Sequence, residues 1–257
     1  MELKMFNENI ILDPNKFKKS NILIDIRRSE IFKVWSENEH KLLNSLLYMY
    51  SQKTETEIEE LKKGYCFISL SSLRDLMNLS SKNDYKSTIL NSLKLIRDFG
   101  FNARYNGSLF YTSFIWEFNL EELQQLTQNN KNQQIRIKFN DTLFECILQK
   151  KDYTLLNKDI NKLNSKYAMN IYQIIKMKQK QINPHTNKRL TEISYNLKEL
   201  NEIFNTSHKF ISKFKHHFEN RKKSIVSKSL IGAKNFDFEF KKDCIVFKFR
   251  NFNKKSK

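Results

Sequence analysis

Between Ser207 and Arg250 a cation-studded amphipathic pattern runs directly into two short β-rich runs, and this junction constrains the fold more than any other stretch. At about 100° per residue, Phe210, Phe214 and Phe218 with Ile211 form one apolar stripe, while Lys209, Ser212, Lys213, His216, Asn220 and Lys223 fall on the opposite side. One face is expected to pack and the other to stay free. Arg221 would land on the apolar side of an unbroken helix, so a kink near Asn220 is expected. The hairpin that follows reads as Phe236 to Phe240, a Lys241-Lys242-Asp243 turn, and Ile245 to Phe249.

The same order occurs upstream. Ser36-Glu37-Asn38-Glu39 is a capping box, and Leu42, Leu43, Leu46, Leu47 and Tyr50 follow at helical spacing. After the charged stretch Ser51 to Lys63 comes a β-like run, Tyr65 to Ile68. Ser71 or Ser72 then caps a short helix carrying Leu73, Leu76 and Met77. Asn78 to Asn83 reads as a turn. A longer helix from about Asp84 to Phe99 buries Tyr85, Ile89, Leu93 and Ile96, carries Lys86, Lys94 and Arg97 on its solvent side, and ends at Gly100. Phe101 to Tyr105 and Ser108 to Phe114 flank Asn106-Gly107, a strong hairpin signal because both turn residues tolerate positive φ. Helix, short helix, turn, long helix, hairpin is the order of a winged helix-turn-helix.

Asn119 to Lys138 reads as a connection that opens with a short helical piece (Leu120, Leu123, Leu126), is poor in large apolar residues from Gln124 to Gln134 and ends in an Ile135, Ile137, Phe139 alternation. The second half repeats the plan. Tyr153 to Leu156 is a strand, and Asn164 or Ser165 caps a helix bearing Tyr167, Ile171, Ile174 and Ile175, which Asn183-Pro184-His185 breaks. Ile193-Ser194 with Leu197 and Leu200 then echoes Ile68-Ser69 with Leu73 and Leu76, as an internal duplication would. The expected fold is α+β, mainly helical, with two tandem winged helix-turn-helix domains. Residues 1–19 form an N-terminal arm, 20–130 the first domain, and 131–257 the second with a basic tail.

Charge points the second domain at a polyanion. From Leu200 to Lys257 there are fifteen Lys or Arg against five acids, so 15 minus 5 gives +10 of the formal +18 in fewer than a quarter of the residues. An AT-rich genome would raise Lys, Asn, Ile and Phe everywhere, but not cluster the charge. Apolar content of 39% and aromatic content of 13% exclude a disordered chain, and 4 Gly with 2 Pro argue against a glycine-cradled phosphate site. Cys66, Cys146 and Cys244 are far apart and outside any metal spacing, as for buried reduced thiols in a reducing cytoplasm. No run reaches the roughly 18 apolar residues of a membrane span, so a soluble, unexported chain is expected.

No nucleotide-binding P-loop, nucleophile-elbow or zinc-protease pattern occurs, and His40, His185 and His208 stand alone in sequence. His216-His217 invites a nickase reading. Adjacent side chains diverge by about 100° on a helix, however, and no carboxylate cluster accompanies them. No catalytic site, metal or cofactor is expected. The candidate DNA contacts are Lys209, Ser212, Lys213, Lys215, His216, Asn220, Arg221, Lys222 and Lys223 on the helix and Lys241 and Lys242 on the wing, with Lys82, Lys86, Lys94 and Arg97 as an auxiliary set in the first domain. Lysine suits guanine edges and phosphates, Asn pairs bidentately with adenine, and Ser adapts to either. The plainer reading is a solvated charge face on an ordinary surface helix.

These residues resemble the initiator Rep family, the iteron-binding initiators of theta-replicating plasmids. The anchors are Ser-x-Tyr-Ala at Ser165, Tyr167 and Ala168 with Ile171-Tyr172, the preceding Tyr153-Thr154-Leu155-Leu156, and Lys209-Phe210 to Phe214-Lys215. Further support comes from Glu39-x-Lys41-Leu42-Leu43, Asp84-Tyr85 and Ile245-Val246-Phe247-x-Phe249. The second reading helix departs from the family in having Lys215-His216-His217 where the family is richer in Arg. The resemblance implies that the C-terminal domain binds one part of each direct repeat in a plasmid origin, while the N-terminal domain binds the other part or mediates dimerisation. Monomers would initiate and homodimers repress. The implied partners are double-stranded origin DNA, the host initiator and the replicative helicase, in a bacterial cytoplasm and plasmid- or nucleoid-associated. The alternatives are a winged-helix transcription regulator without origin function and a rolling-circle nicking enzyme.

Overall fold

The computed structural model describes residues 16–20, 34–53, 57, 65–80, 84–105, 108–119, 134–140, 153–179, 181–182, 186–204, 206–228, 230–231 and 235–249. Helix α1 (Glu37–Ser51) starts at the expected capping box: Asn38 N donates to Ser36 Oγ, and Ser36 N donates to Glu39 Oε2 at 2.7 Å. The other Glu39 oxygen accepts from buried Ser92 Oγ, also at 2.7 Å, which ties α1 to α3 (Tyr85–Asp98). Leu42, Leu43, Leu46, Leu47 and Tyr50 are all buried, as their spacing requires. Just before α1, the Trp35 ring packs edge-on against His40 and Phe99 and tilted against Phe114, closing the core at that end.

Strand β2 (Cys66–Ser69) runs straight into α2 (Leu70–Leu76). The cap is Ser69, not Ser71 or Ser72: Ser69 Oγ accepts from Ser72 N because the helix begins as soon as the strand ends. Asn78 takes a left-handed φ of 54° and turns the chain after α2, a conformation Asn tolerates better than most residues. Asp84 caps α3 by accepting from Ser87 N, and this bond holds its carboxyl below the usual range. The helix closes at Phe99, whose backbone is extended, one residue before the expected stop at Gly100.

Strands β3 (Phe101–Tyr105) and β4 (Ser108–Thr112) pair antiparallel as expected, from Phe101 with Thr112 to Tyr105 with Ser108, as a separate two-stranded sheet; Asn106 and Gly107 lie outside the described residues. The three-stranded sheet of this half is built from β2, β5 (Ile115–Phe118) and β6 (Gln134–Phe139) in the order β2-β6-β5. Ile135, Ile137 and Phe139 alternate inward along β6, as their period of two predicts. They nevertheless belong to the first sheet, paired with Ile68, Cys66 and Ile115 respectively. Strand β6, past the boundary expected near residue 130, therefore belongs to the sheet of the first half. The antiparallel pair that enters this sheet is β5–β6, and β3–β4 stays outside it.

Residues 16–19, the end of the expected N-terminal arm, together with Ser20 form strand β1 (Lys16–Ser20) and pair antiparallel with β7 (Tyr153–Asn157). A 3-10 helix (Lys158–Lys162) follows and docks on α1 through Asn161, which is 3% exposed. Its amide nitrogen donates to Lys41 O at 3.1 Å, Ser45 Oγ at 3.0 Å and Leu76 O at 2.9 Å, and its oxygen accepts from Asn44 Nδ2 at 3.1 Å. Lys166 Nζ adds a bond to Trp35 O at 3.1 Å. Ser165 is the N-cap of α4 (Lys166–Lys178), although its side chain makes no capping bond. Tyr172 OH on α4 accepts from Asn157 N, and burial raises its pKa to about 12.

Then come β8 (Glu192–Asn196), α5 (Leu197–Phe204), α6 (Ser212–Ser227), β9 (Phe236–Phe240) and β10 (Cys244–Phe249), with sheet order β8-β10-β9. With the separate β3–β4 pair set aside, both halves run helix, strand, helix, helix, strand, strand, with the last strand central in its sheet. The second core is aromatic. Phe218 stands edge-on to Phe204, Phe238 and Phe247 with centroids 5.3, 4.9 and 5.3 Å away. Cys66 and Cys244 are free thiols, and burial pushes the Cys66 thiol up; Cys146 lies outside the described residues.

Candidate nucleic-acid interface

Asn196 and Glu199 build the entry to α5 by capping each other: Glu199 N donates to Asn196 Oδ1 and Asn196 N to Glu199 Oε2, both at 2.9 Å. Asn201 then fixes the turn into α6. Its Oδ1 accepts from His208 N and Thr206 Oγ1, and its Nδ2 donates to His208 O, with distances of 2.8 to 2.9 Å. A turn held by three bonds to one side chain sets the angle at which α6 leaves the core.

Helix α6 is unbroken from Ser212 to Ser227, so the expected kink near Asn220 is absent. Phe214, Phe218 and Ile225 are buried, while Ser212, Lys213, Lys215, His216 and Lys223 are exposed and Asn220 is half-buried against His216, its Nδ2 2.8 Å from His216 Nε2. The free face is the one the periodicity assigns. Two expectations fail because of where the helix starts and because it is unbroken. Phe210 precedes the first turn and is 64% exposed, so it is no part of the packed stripe. Arg221 is carried to the inner flank, away from the free face, with its Nε shut off from solvent.

An open groove runs between the start of α5, the start of α6 and the β9–β10 turn. Lys209, Ser212 and Lys215 line one side and Lys241 and Lys242 the other, so five of the expected contact residues meet there. The structure adds Lys198 from α5 and the exposed ring of Phe210. Lys198 carried no signal in the sequence, since its place depends on how α5 docks beside the turn. Lys222 points elsewhere: it pairs with Asp237 on β9 at 2.6 Å, and that bond holds the Asp237 carboxyl below its usual range. Lys248 pairs likewise with Glu239, whose carboxyl is lowered while the Lys248 ammonium is raised. These two pairs brace the wing strands; of the groove lysines, Lys241 lies 4.0 Å from the other Glu239 oxygen, and Asp243 lines the groove beside Lys242.

In the first half, Lys86, Lys94 and Arg97 sit half-buried along α3. Arg97 is engaged within the protein, bonded to Asp98 at 2.7 Å and lying 5.2 Å over the Phe118 ring. Lys82 lies outside the described residues. The structure does not gather this set into one groove as it does the second. Among the described residues no group of three or more His, Cys, Asp or Glu is placed to hold a metal ion, and no helix is long and apolar enough to cross a membrane.

The geometry defines a mixed helix-and-sheet protein in which a helix-turn-helix and a β-hairpin frame a lysine-lined groove. The profile of the initiator replication protein WH1 family (Rep3_N) matches residues 16–176, more than half of the chain, and the chain belongs to that replication-initiator family. Among solved structures, the crystal structure of domains 2 and 3 of RctB resembles it with a TM-score of 0.52 at 9% identity, covering 84% of this chain and 82% of that one. A second crystal structure, of RctB domains 2–3, gives 0.44 at 11% identity over 83% and 82%. At 9% identity the first of these likenesses is one of fold. No curated protein matches the sequence.

Proposed function

We propose that this initiator binds direct repeats in a plasmid origin through the α6 groove, with two tandem winged helices as its working units. The observation that carries the reading is the convergence of Lys198, Lys209, Lys215, Lys241 and Lys242 around the exposed start of α6. Helix-turn-helix proteins commonly present that part of the second helix to base edges, and flanking lysines on the wing suit backbone phosphates. The mechanism is non-enzymatic. Binding an array of repeats bends the DNA and strains the adjacent AT-rich duplex, and the assembled protein recruits the host initiator and helicase. The first half supplies a second, weaker DNA contact or the homodimer surface, and the dimer represses the initiator's own gene.

If each protomer neutralises about six phosphates, affinity falls roughly a thousandfold between 50 and 200 mM salt. Footprinting of the purified protein on the DNA flanking its own gene, across a salt series, tests the reading. Periodic protection over direct repeats is expected. A single protected inverted site would make the protein a repressor instead, and no specific protection would reduce the groove to a solvated cationic surface.

A further inference from the structure

Behind α6, on the side away from the groove, a small cavity of about 70 Å³ opens between α4, the α5–α6 turn and the inner flank of α6. Its floor is apolar, formed by Phe204, Phe214 and Phe218, and its polar lining includes His208, His217 and Arg221. The two imidazoles are stacked, with centroids 6.2 Å apart and planes 26° from parallel. Arg221 forms no ion pair with any described residue, and its Nε is buried without a hydrogen-bond partner. A guanidinium nitrogen closed off from water and unpaired is costly, and such orphans are rare enough in folded proteins to call for an explanation.

The electrostatics point the same way. His217 is pushed below its ordinary value by burial first, then by Arg221, His208 and His216, and no acid offsets them. Arg221 and His208 are half-buried and His217 lies at the exposed mouth, so three groups that are positive or can become so converge on one wall. We propose that this cavity is a binding site for a carboxylate carried on a short apolar stem. Charge selects an anion, and the guanidinium fork matches a planar carboxylate through two parallel bonds. The phenyl floor requires a carbon stem rather than a bare inorganic oxyanion. Size limits that stem, because a cavity that holds a benzene ring is about 150 Å³, roughly twice this one. The occupant has the dimensions of acetate or propionate, or of the tip of an Asp or Glu side chain from a partner protein.

The test uses the full chain and follows the histidine ring resonances by NMR in titrations with propionate, N-acetyl-glutamate amide, n-propanol and inorganic phosphate. The two carboxylates are expected to shift the His208 and His217 signals saturably and to move the His217 titration upward, because an anion beside the ring favours imidazolium. Propanol and phosphate leave the signals in place. Saturation by N-acetyl-glutamate amide at a lower concentration than propionate identifies a protein side chain as the natural occupant; equal or better binding of propionate identifies a free acid. Arg221→Gln weakens binding by about tenfold or more, the loss of a charge-assisted bond. If that variant does not fold, Arg221→Lys, which keeps the charge but not the fork, takes its place with the same expectation. Absence of saturation with both carboxylates, an equal response to phosphate, or unchanged binding in the Arg221 variant would overturn the proposal. Each readout is independent of DNA, so failure of the groove to read repeats leaves this result standing.

Discussion

Removing the Asn161 side chain should loosen the seam where the 3-10 helix joins α1 and α2. Its two amide hydrogens are shared among Lys41 O, Ser45 Oγ and Leu76 O, and its oxygen receives Asn44 Nδ2, all at 3.1 Å or less. Two donated bonds and one accepted bond, at about 1 kcal/mol net each, make Asn161→Ala cost about 3 kcal/mol. At roughly 2–4 °C per kcal/mol for a chain of this size, the thermal midpoint falls by about 6–12 °C. Asn161→Asp should cost more, about 4–5 kcal/mol, because it buries a carboxylate against the carbonyls of Lys41 and Leu76 with no compensating cation. Urea unfolding followed by far-UV circular dichroism measures both, with the midpoint read at constant slope. An alanine variant within about 0.5 kcal/mol of wild type, the range of an ordinary surface change, or an aspartate variant no worse than alanine, would refute the account of this seam.

Lys213→Ala and Lys209→Ala, both at exposed positions, are expected to weaken repeat binding and lower the salt slope by about one each, with unfolding midpoints unchanged; unchanged affinity in both would move the reading surface elsewhere. Tyr172 has a folded pKa of about 12, above the roughly 10 of an unfolded tyrosine. Its neutral phenol therefore contributes stability that is fully present below pH ~10 and lost as pH rises through about 12. Tyr172→Phe also strips Asn157 N of its acceptor and should cost about 1–2 kcal/mol at neutral pH while flattening the alkaline decline, as urea melts across pH would record. His217 is lowered when folded, so below its unfolded value of about 6.5 the unfolded chain binds more protons. Stability is then lost as pH falls through the folded value, and His217→Gln should flatten the decline between neutral pH and pH 5 in thermal melts; an identical acid slope in the variant would contradict the crowding of positive groups around this ring.

Local chemistry carries most of what was legible. The Ser36–Glu39 box, the Asp84 cap and the β-rich flanks of Asn106-Gly107 act over three or four residues, so each is visible in the chain itself. The apolar stripe of α6 is likewise a matter of spacing, which is why its exposed residues stand where the pattern put them. Phe210 escaped the pattern because periodicity shows which residues share a face but not where the first turn begins. The free face of α6 was readable from sequence; the groove was not, since Lys198 and the β9–β10 turn join it only through the docking of α5 and the wing.

Helix positions, the β3–β4 pair, the second hairpin, the family and the cationic character of the second half were legible in the chain alone, because periodicity, capping and charge are properties of neighbouring residues. Three features came only with folding: β6 joins the first sheet, residues 16–20 pair with β7, and Arg221 turns inward beside two histidines. Strand pairing and burial depend on partners more than a hundred residues away in the case of β1 and β7. A β-strand's own pattern shows which face is apolar but not which edge it will join.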